Sequence, residues 1–180
     1  MTDAIKRAGA AEAFPGAANG QAPEYEVAAL LAQKKIRVTT AESCTGGLIA
    51  GTLVNVPGIS EWFEEGYVTY SNAAKERLLG VPHAVLEKHG AVSAETAGAM
   101  ADGAARAARA DAAIISTGIA GPEGGTAEKP VGLVYIGCYC KGRVRVEKHL
   151  FDGNREKVRR QSVQAALALL KEMLQNTDEE

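Results

Sequence analysis

The segment "TAESCTGG", residues 40 to 47, places a carboxylate (Glu42), a hydroxyl (Ser43), a thiol (Cys44) and a second hydroxyl (Thr45) ahead of two glycines, Gly46 and Gly47. Glycines let a ligand approach the backbone closely, and free amides at Gly46, Gly47 and Leu48 would suit an oxyanion or a phosphate. A plainer reading competes, in which Ser43 or Thr45 only caps the following helix. The spacing is not that of a nucleophile elbow, a P-loop or an S-x-x-K motif, so the residues by themselves leave both readings open.

A second segment, "VTYSNAAKERLLGV", sets Tyr70, Ser71 and Asn72 at the end of an alternating run and Lys75 in the first turn of the next helix. If the two runs are neighbouring strands, Lys75 can reach Ser43. A serine hydroxyl becomes a nucleophile when a base takes its proton, and lysine can do so once burial lowers its pKa from about 10.4 towards roughly 7 or 8. Tyr70 could then orient or relay the proton. Against this stand a solvated helix lysine and a half-buried strand aromatic, and spacing does not choose between them.

A third segment, "STGIAGPEGGT", brings Thr117, Gly118, Ala120 and Gly121 to the same crevice or makes a plain glycine-rich turn. Arg155, Arg159 and Ser162 share a face at the start of the last helix; paired guanidinium groups hold phosphate well, and exposed ones also make simple salt bridges. Cys44 invites a cysteine-hydrolase reading, but no histidine neighbours it, and His83, His89 and His149 have no evident route to it. Cys138 and Cys140 fall on one strand face, as core packing does. No set of His, Cys, Asp and Glu has metal-ligand spacing, so neither a metal nor a cofactor is expected.

The elements that must position these groups follow from periodicity. Tyr25, Ala28, Ala29, Leu31 and Ala32 recur at helical spacing over residues 24–35, and "IRVTTA" then reads as a strand. "GGLIAGTLVNVPG" reads as a helix of about two turns closed by Pro57 and Gly58, "FEEGYVTY" as a strand, and "SNAAKERLLG" as a capped helix. Ser93 precedes a long helix with Ala97, Met100, Ala101, Ala104, Ala105 and Ala108 on one face. "AAIISTG" is a continuous apolar run, as in a strand buried on both faces. "VGLVYIGCYC" and "RVRVEKHLF" flank Lys141 and Gly142 as a hairpin, and a final helix over 154–174 buries Val163, Leu167, Leu170 and Leu174. Together these predict a layered α/β/α sandwich with a mainly parallel sheet containing an antiparallel hairpin. "TAESCTGG" then lies at the carboxyl end of a strand, where open α/β sheets place their ligand crevice.

The 180 residues suit one domain, expected over 23–176, with the Ala/Gly-rich residues 1–22 expected as a disordered tail. A net charge of −2 offers no field that would gather nucleic acid or an anionic membrane surface, which leaves a small-molecule or protein partner. Three cysteines without a leader-like segment suggest a reducing cytoplasm. A homo-oligomer, first of all a dimer, is expected.

Five ordered blocks, "TAESCTGGLIAGTLVNVPGIS", "GYVTYSNAAKERLLGV", "GAVSAETAGAMADGA", "STGIAGPEGGTAEKPVGLVYIG" and "NREKVRRQSVQAAL", resemble the C-terminal domain of the competence-damage protein CinA, found alone as a nicotinamide-nucleotide amidase. The resemblance runs from about residue 24 to 174. It implies hydrolysis of nicotinamide mononucleotide to nicotinate mononucleotide and ammonia in pyridine-nucleotide salvage, with a serine nucleophile, a lysine base and no metal. These roles fall on Ser43 and Lys75, with Tyr70 beside them. The same crevice could instead serve a non-enzymatic nucleotide-binding or competence- and damage-associated module.

Overall fold

The computed structural model describes residues 22–178, so the tail expected over residues 1–22 lies, but for residue 22, outside the described residues. Helix α1 (Pro23–Lys34) opens with proline, whose missing N–H costs nothing at a helix start, and leads into β1 (Val38–Glu42). Helix α2 is only Leu48–Leu53, shorter than the sequence pattern suggests, and a 3-10 turn at Ile59–Glu61 then leads to β2 (Phe63–Val68). Ser71 caps α3 (Asn72–Leu79) by accepting a hydrogen bond from the amide of Ala74. Helix α4 (His83–His89) has no counterpart in the sequence reading, since seven residues are too few for periodicity to stand out. The rest is α5 (Ala94–Ala108), β3 (Ala112–Gly118), β4 (Leu133–Cys140), β5 (Arg143–Leu150) and α6 (Arg155–Gln175).

The sheet order is β2-β1-β3-β4-β5. Strands β2, β1 and β3 are mutually parallel, while β4 pairs antiparallel with both neighbours, so it alone opposes the other four. Alternating residues serve opposite faces. Ile114, Ile136 and Cys138 pack with α1, α2 and α6, whereas Ala41, Ala113 and Ile115 pack with α3, α4 and α5. This is the expected three-layer sandwich.

Two features of the packing bear on the site. In the parallel register Glu42 pairs with both Val68 and Ser116, so the carboxyl ends of β1, β2 and β3 stand level and Ser43 follows the middle one. Helix α3, which carries Lys75, is drawn tightly against α5 at Gly103, where a Cβ would meet the carbonyl oxygen of Leu79 at 2.1 Å. Burying Ala97, Met100, Ala101 and Ala104 of α5 holds that layer on the sheet.

Candidate active site

Ser43 leaves the sheet directly after β1, its amide donating to the carbonyl of Ser116 at 2.9 Å. The chain then turns sharply through Gly46 (φ 60°) and Gly47 (φ 97°), a left-handed path that suits glycine. From α3, Lys75 reaches across to this turn. Its Nζ donates to Ser43 Oγ at 3.2 Å and to the carbonyl of Thr69 at 2.8 Å. Lys75 is only 1% exposed, and among the described residues no carboxylate forms an ion pair with it. Burial without a counter-charge favours the neutral amine and lowers its pKa to about 8, against a smaller raising effect from Cys44. A neutral amine that donates to Thr69 has a lone pair left for the hydroxyl proton of Ser43.

The oxyanion arrangement differs from expectation. The amides of Gly46, Gly47 and Leu48 are all engaged, with the Ser43 carbonyl, the Glu42 carboxylate and the Thr45 carbonyl. The amides of Cys44 and Thr45, by contrast, donate to no carbonyl or carboxylate among the described residues. Of these three, Glu42 holds the Gly47 amide. It is wholly buried, and its carboxylate accepts from Thr45 Oγ1 at 2.6 Å and from the amides of Gly47, Ile49 and Ala50 at 2.9, 3.0 and 2.8 Å. The sequence reading assigned Glu42 no role. The available signal was an acidic residue shortly before a helix whose cap position is a glycine without a side chain.

Thr45 is also buried, so its side chain faces the core and only its backbone can meet a ligand. Its hydroxyl lies 2.6 Å from both Glu42 and Ser116 Oγ; since a carboxylate only accepts, Thr45 donates to Glu42 and accepts from Ser116. Thr117 is buried too, with Oγ1 donating to the Ala91 carbonyl. Gly118 packs against Leu133 and Val134, Ala120 is buried, and Ser71 is occupied as the α3 cap beside an exposed Asn72.

Tyr70 is not brought to the Ser43–Lys75 pair. It is 61% exposed, and its hydroxyl accepts from Arg155 NH2 at 2.9 Å, with no hydrogen bond to Ser43 or Lys75 among the described residues. Arg155 also donates to the Gly121 carbonyl at 3.0 Å, linking the chain beyond β2 to the chain beyond β3. Arg159 lies one turn further along α6 and donates through Nε to the Cys44 carbonyl (3.1 Å) and through NH2 to the Thr45 carbonyl (2.7 Å). Both guanidinium groups thus hold protein carbonyls, and Ser162 is buried with its hydroxyl on the Val158 carbonyl. Burial pushes the Cys44 thiol up to about 11, and His83, His89 and His149 pair with Glu76, Glu95 and Glu147, away from it. Among the described residues no group of His, Cys, Asp and Glu could hold a metal ion, and no helix is long and apolar enough to cross a membrane.

The sequence profile of the CinA C-terminal domain matches residues 21–174. This chain belongs to the CinA C-terminal domain family. A putative competence-damage inducible protein of Clostridium beijerinckii is 58% identical over 151 residues, 84% of this chain and 37% of that protein, and one of Caldicellulosiruptor bescii is 50% identical over the same length. The chain thus spans little more than a third of the curated relatives it matches. Among solved structures, the competence/damage inducible protein CihA of Agrobacterium tumefaciens superposes with a TM-score of 0.82 at 42% identity, covering 84% of this chain and 93% of that one. A competence damage-inducible protein A of Klebsiella pneumoniae gives 0.83 at 37% identity, covering 87% and 97%. The five-stranded mixed sheet is therefore the CinA-domain architecture.

Proposed function

We propose that this CinA domain is an amidohydrolase that deamidates nicotinamide mononucleotide to nicotinate mononucleotide and ammonia. The observation that carries the reaction type is the buried Lys75 amine, without a carboxylate partner among the described residues, 3.2 Å from Ser43 Oγ. The substrate follows from the family resemblance. Neutral Lys75 takes the Ser43 proton as Oγ attacks the carboxamide carbon. The amides of Cys44 and Thr45 receive the oxyanion, a contribution of roughly 3 to 4 kcal/mol for a well-placed donor. As the C–N bond breaks, Lys75 returns the proton to the leaving nitrogen and ammonia departs. Water then attacks the acyl ester, again giving a proton to Lys75, and Ser43 recovers it as the nicotinate product leaves.

Arg155 is the group proposed for the substrate phosphate. It is exposed, and a single solvent-facing hydrogen bond to Tyr70 is cheap to exchange for a charge-assisted one. The test is ammonia release by the purified protein from nicotinamide mononucleotide, NAD, nicotinamide and glutamine. Release from the mononucleotide alone supports the reading. Binding of the mononucleotide without ammonia would put a nucleotide-binding module in its place, and release from glutamine would change the substrate class.

A further inference from the structure

Residues 43–47 are gripped from two sides by opposite charges. Glu42 takes donors, the amides of Gly47, Ile49 and Ala50 and the Thr45 hydroxyl, while Arg159 takes acceptors, the carbonyls of Cys44 and Thr45. We propose that Glu42 and Arg159 are positioning residues, a clamp that aims the Thr45 amide at the reacting carbonyl and holds Ser43 in register with it. This rests on the reading of Ser43 as the nucleophile.

The geometry follows from peptide planarity. In a trans peptide the N–H points opposite to the preceding C=O, so a Cys44 carbonyl drawn to Arg159 turns the Thr45 N–H away from it. A Glu42 carboxylate under the turn then fixes how far the turn stands from α2. Capping alone would not need this arrangement. Gly47, in the left-handed region, provides no side-chain cap, so α2 is anchored by Glu42 beside Ser43, while the grip of Arg159 on the Cys44 and Thr45 carbonyls satisfies no α2 amide. The position of α2 and that of the nucleophile are thereby set by one side chain. Ser116 extends the brace to β3 through the Thr45 hydroxyl.

The clamp gives Arg159 a role separable from phosphate binding. A phosphate ligand acts on KM and only for phosphorylated substrates, whereas a positioning residue acts on kcat for every amide the site turns over. The variants are Glu42→Gln, whose NH2 cannot accept, and Arg159→Ala. Each should lower kcat for nicotinamide mononucleotide by at least about tenfold with KM within about twofold, as a displacement near 1 Å can cost up to about a hundredfold. The rate at which a fluorophosphonate probe phosphonylates Ser43, forming the O–P bond as fluoride leaves, should fall in parallel. Hydrogen exchange at Gly47, Ile49 and Ala50 should rise at least about tenfold in Glu42→Gln while β3 and β4 keep their protection.

The probe and exchange arms keep the clamp testable apart from the substrate. If the wild type labels on Ser43 but releases no ammonia, the amidase reading falls and labelling decides the clamp. If it does not label either, local exchange decides. The clamp is overturned if Arg159→Ala raises KM alone, if both variants label at the wild-type rate, or if exchange in Glu42→Gln is unchanged or rises uniformly. Should Glu42→Gln fail to fold, Arg159→Ala carries the decision.

Discussion

Lys75 and Lys141 stand at opposite edges of one sheet and meet opposite treatment. Lys141 follows β4 at the edge where β3 begins, half-exposed, with its Nζ 2.8 Å from Asp111 Oδ1. Asp111 also accepts from the Arg37 amide at 3.0 Å; burial alone would raise its pKa, but these partners outweigh it and hold the carboxyl below its usual value. At the other edge Lys75 is buried, and among the described residues it donates only to a carbonyl and a hydroxyl. One edge satisfies its charges near water, where a pair is worth up to about 1 kcal/mol. The other desolvates an amine and leaves it short of a counter-charge, which costs stability and yields a base near neutral pH.

Removing either member of the pair at the reactive edge should have the largest effect. Ser43→Ala and Lys75→Arg should each reduce ammonia release by at least about a thousandfold, and the double variant should be little worse than either, since the two act as a unit. Arginine fails because its guanidinium stays protonated. Folding should be intact by circular dichroism. Near-normal turnover in Ser43→Ala would leave the serine as a turn residue. In the wild type, kcat/KM should rise with pH through an apparent pKa of about 8, the value to which burial lowers Lys75.

Stability should move the other way. A fall from 10.5 to about 8 corresponds to roughly 3 kcal/mol against folding when lysine is protonated in the unfolded chain, and losing the hydrogen bond to Thr69 returns about 1. Lys75→Met should therefore be inactive yet roughly 2 kcal/mol more stable at pH 7. Because the folded pKa is depressed, the folded state binds fewer protons between about pH 8 and 10.5, so wild-type stability rises across that window. The advantage of Lys75→Met should be full below pH 8 and fade towards pH 10.5 in urea melts. A destabilised Lys75→Met at pH 7 would mean the amine is not strained by burial.

At the opposite edge Asp111→Asn should cost about 1 kcal/mol at pH 7, the worth of a half-exposed pair and a backbone hydrogen bond, and leave turnover unchanged. Its pH dependence has the same sign, since both folded-state pKa values are depressed, but it falls in acid rather than in base. A depressed carboxyl stabilises above its unfolded pKa and loses that contribution as pH falls through the folded one, so the gap to wild type should close in acid, below about pH 4. A loss of turnover with full stability would tie this edge to the site and break the contrast.

The approach of Lys75 to Ser43 was legible only as a condition, that two strand-then-helix units lie side by side with their carboxyl ends together, and the parallel β1–β2 pairing meets it. Periodicity also carried the long helices and the hairpin, which bury enough apolar side chains to show a pattern. What was hidden depends on where polar side chains turn at the last step. Glu42 reads like any strand-end acid, yet it turns inward and takes the Gly47 amide, one of the three assigned to a ligand, together with those of Ile49 and Ala50. Arg155 and Arg159 share a helix face as spacing predicts, but whether they meet phosphate or backbone carbonyls depends on loops that follow β1 and β3. Tyr70 shows the same limit: its place at the end of β2 was legible, its direction was not.

The smallest expected effect sharpens the boundary of the reactive edge. Tyr70 could relay the Ser43 proton or could only steady Arg155, and the two roles separate in Tyr70→Phe, which keeps the ring and removes the hydroxyl. A relay contributes roughly a hundred- to ten-thousandfold, so its loss should appear in kcat and change the pH profile. A partner for Arg155 contributes one exposed hydrogen bond, worth about 1 kcal/mol or less before solvent replaces it. With the hydroxyl 2.9 Å from Arg155 and the residue 61% exposed, the second outcome is expected: kcat unchanged, KM for the mononucleotide shifted no more than about threefold, and the apparent pKa still about 8. The direction of the KM change carries further information. If the hydroxyl competes with phosphate for the guanidinium, KM falls; if it holds Arg155 ready for phosphate, KM rises. In Tyr70→Phe/Arg155→Ala that shift should vanish relative to Arg155→Ala, because the hydroxyl acts only through the arginine. A fall in kcat of a hundredfold or more in Tyr70→Phe would bring Tyr70 into the proton path and extend the reactive edge outward to the end of β2.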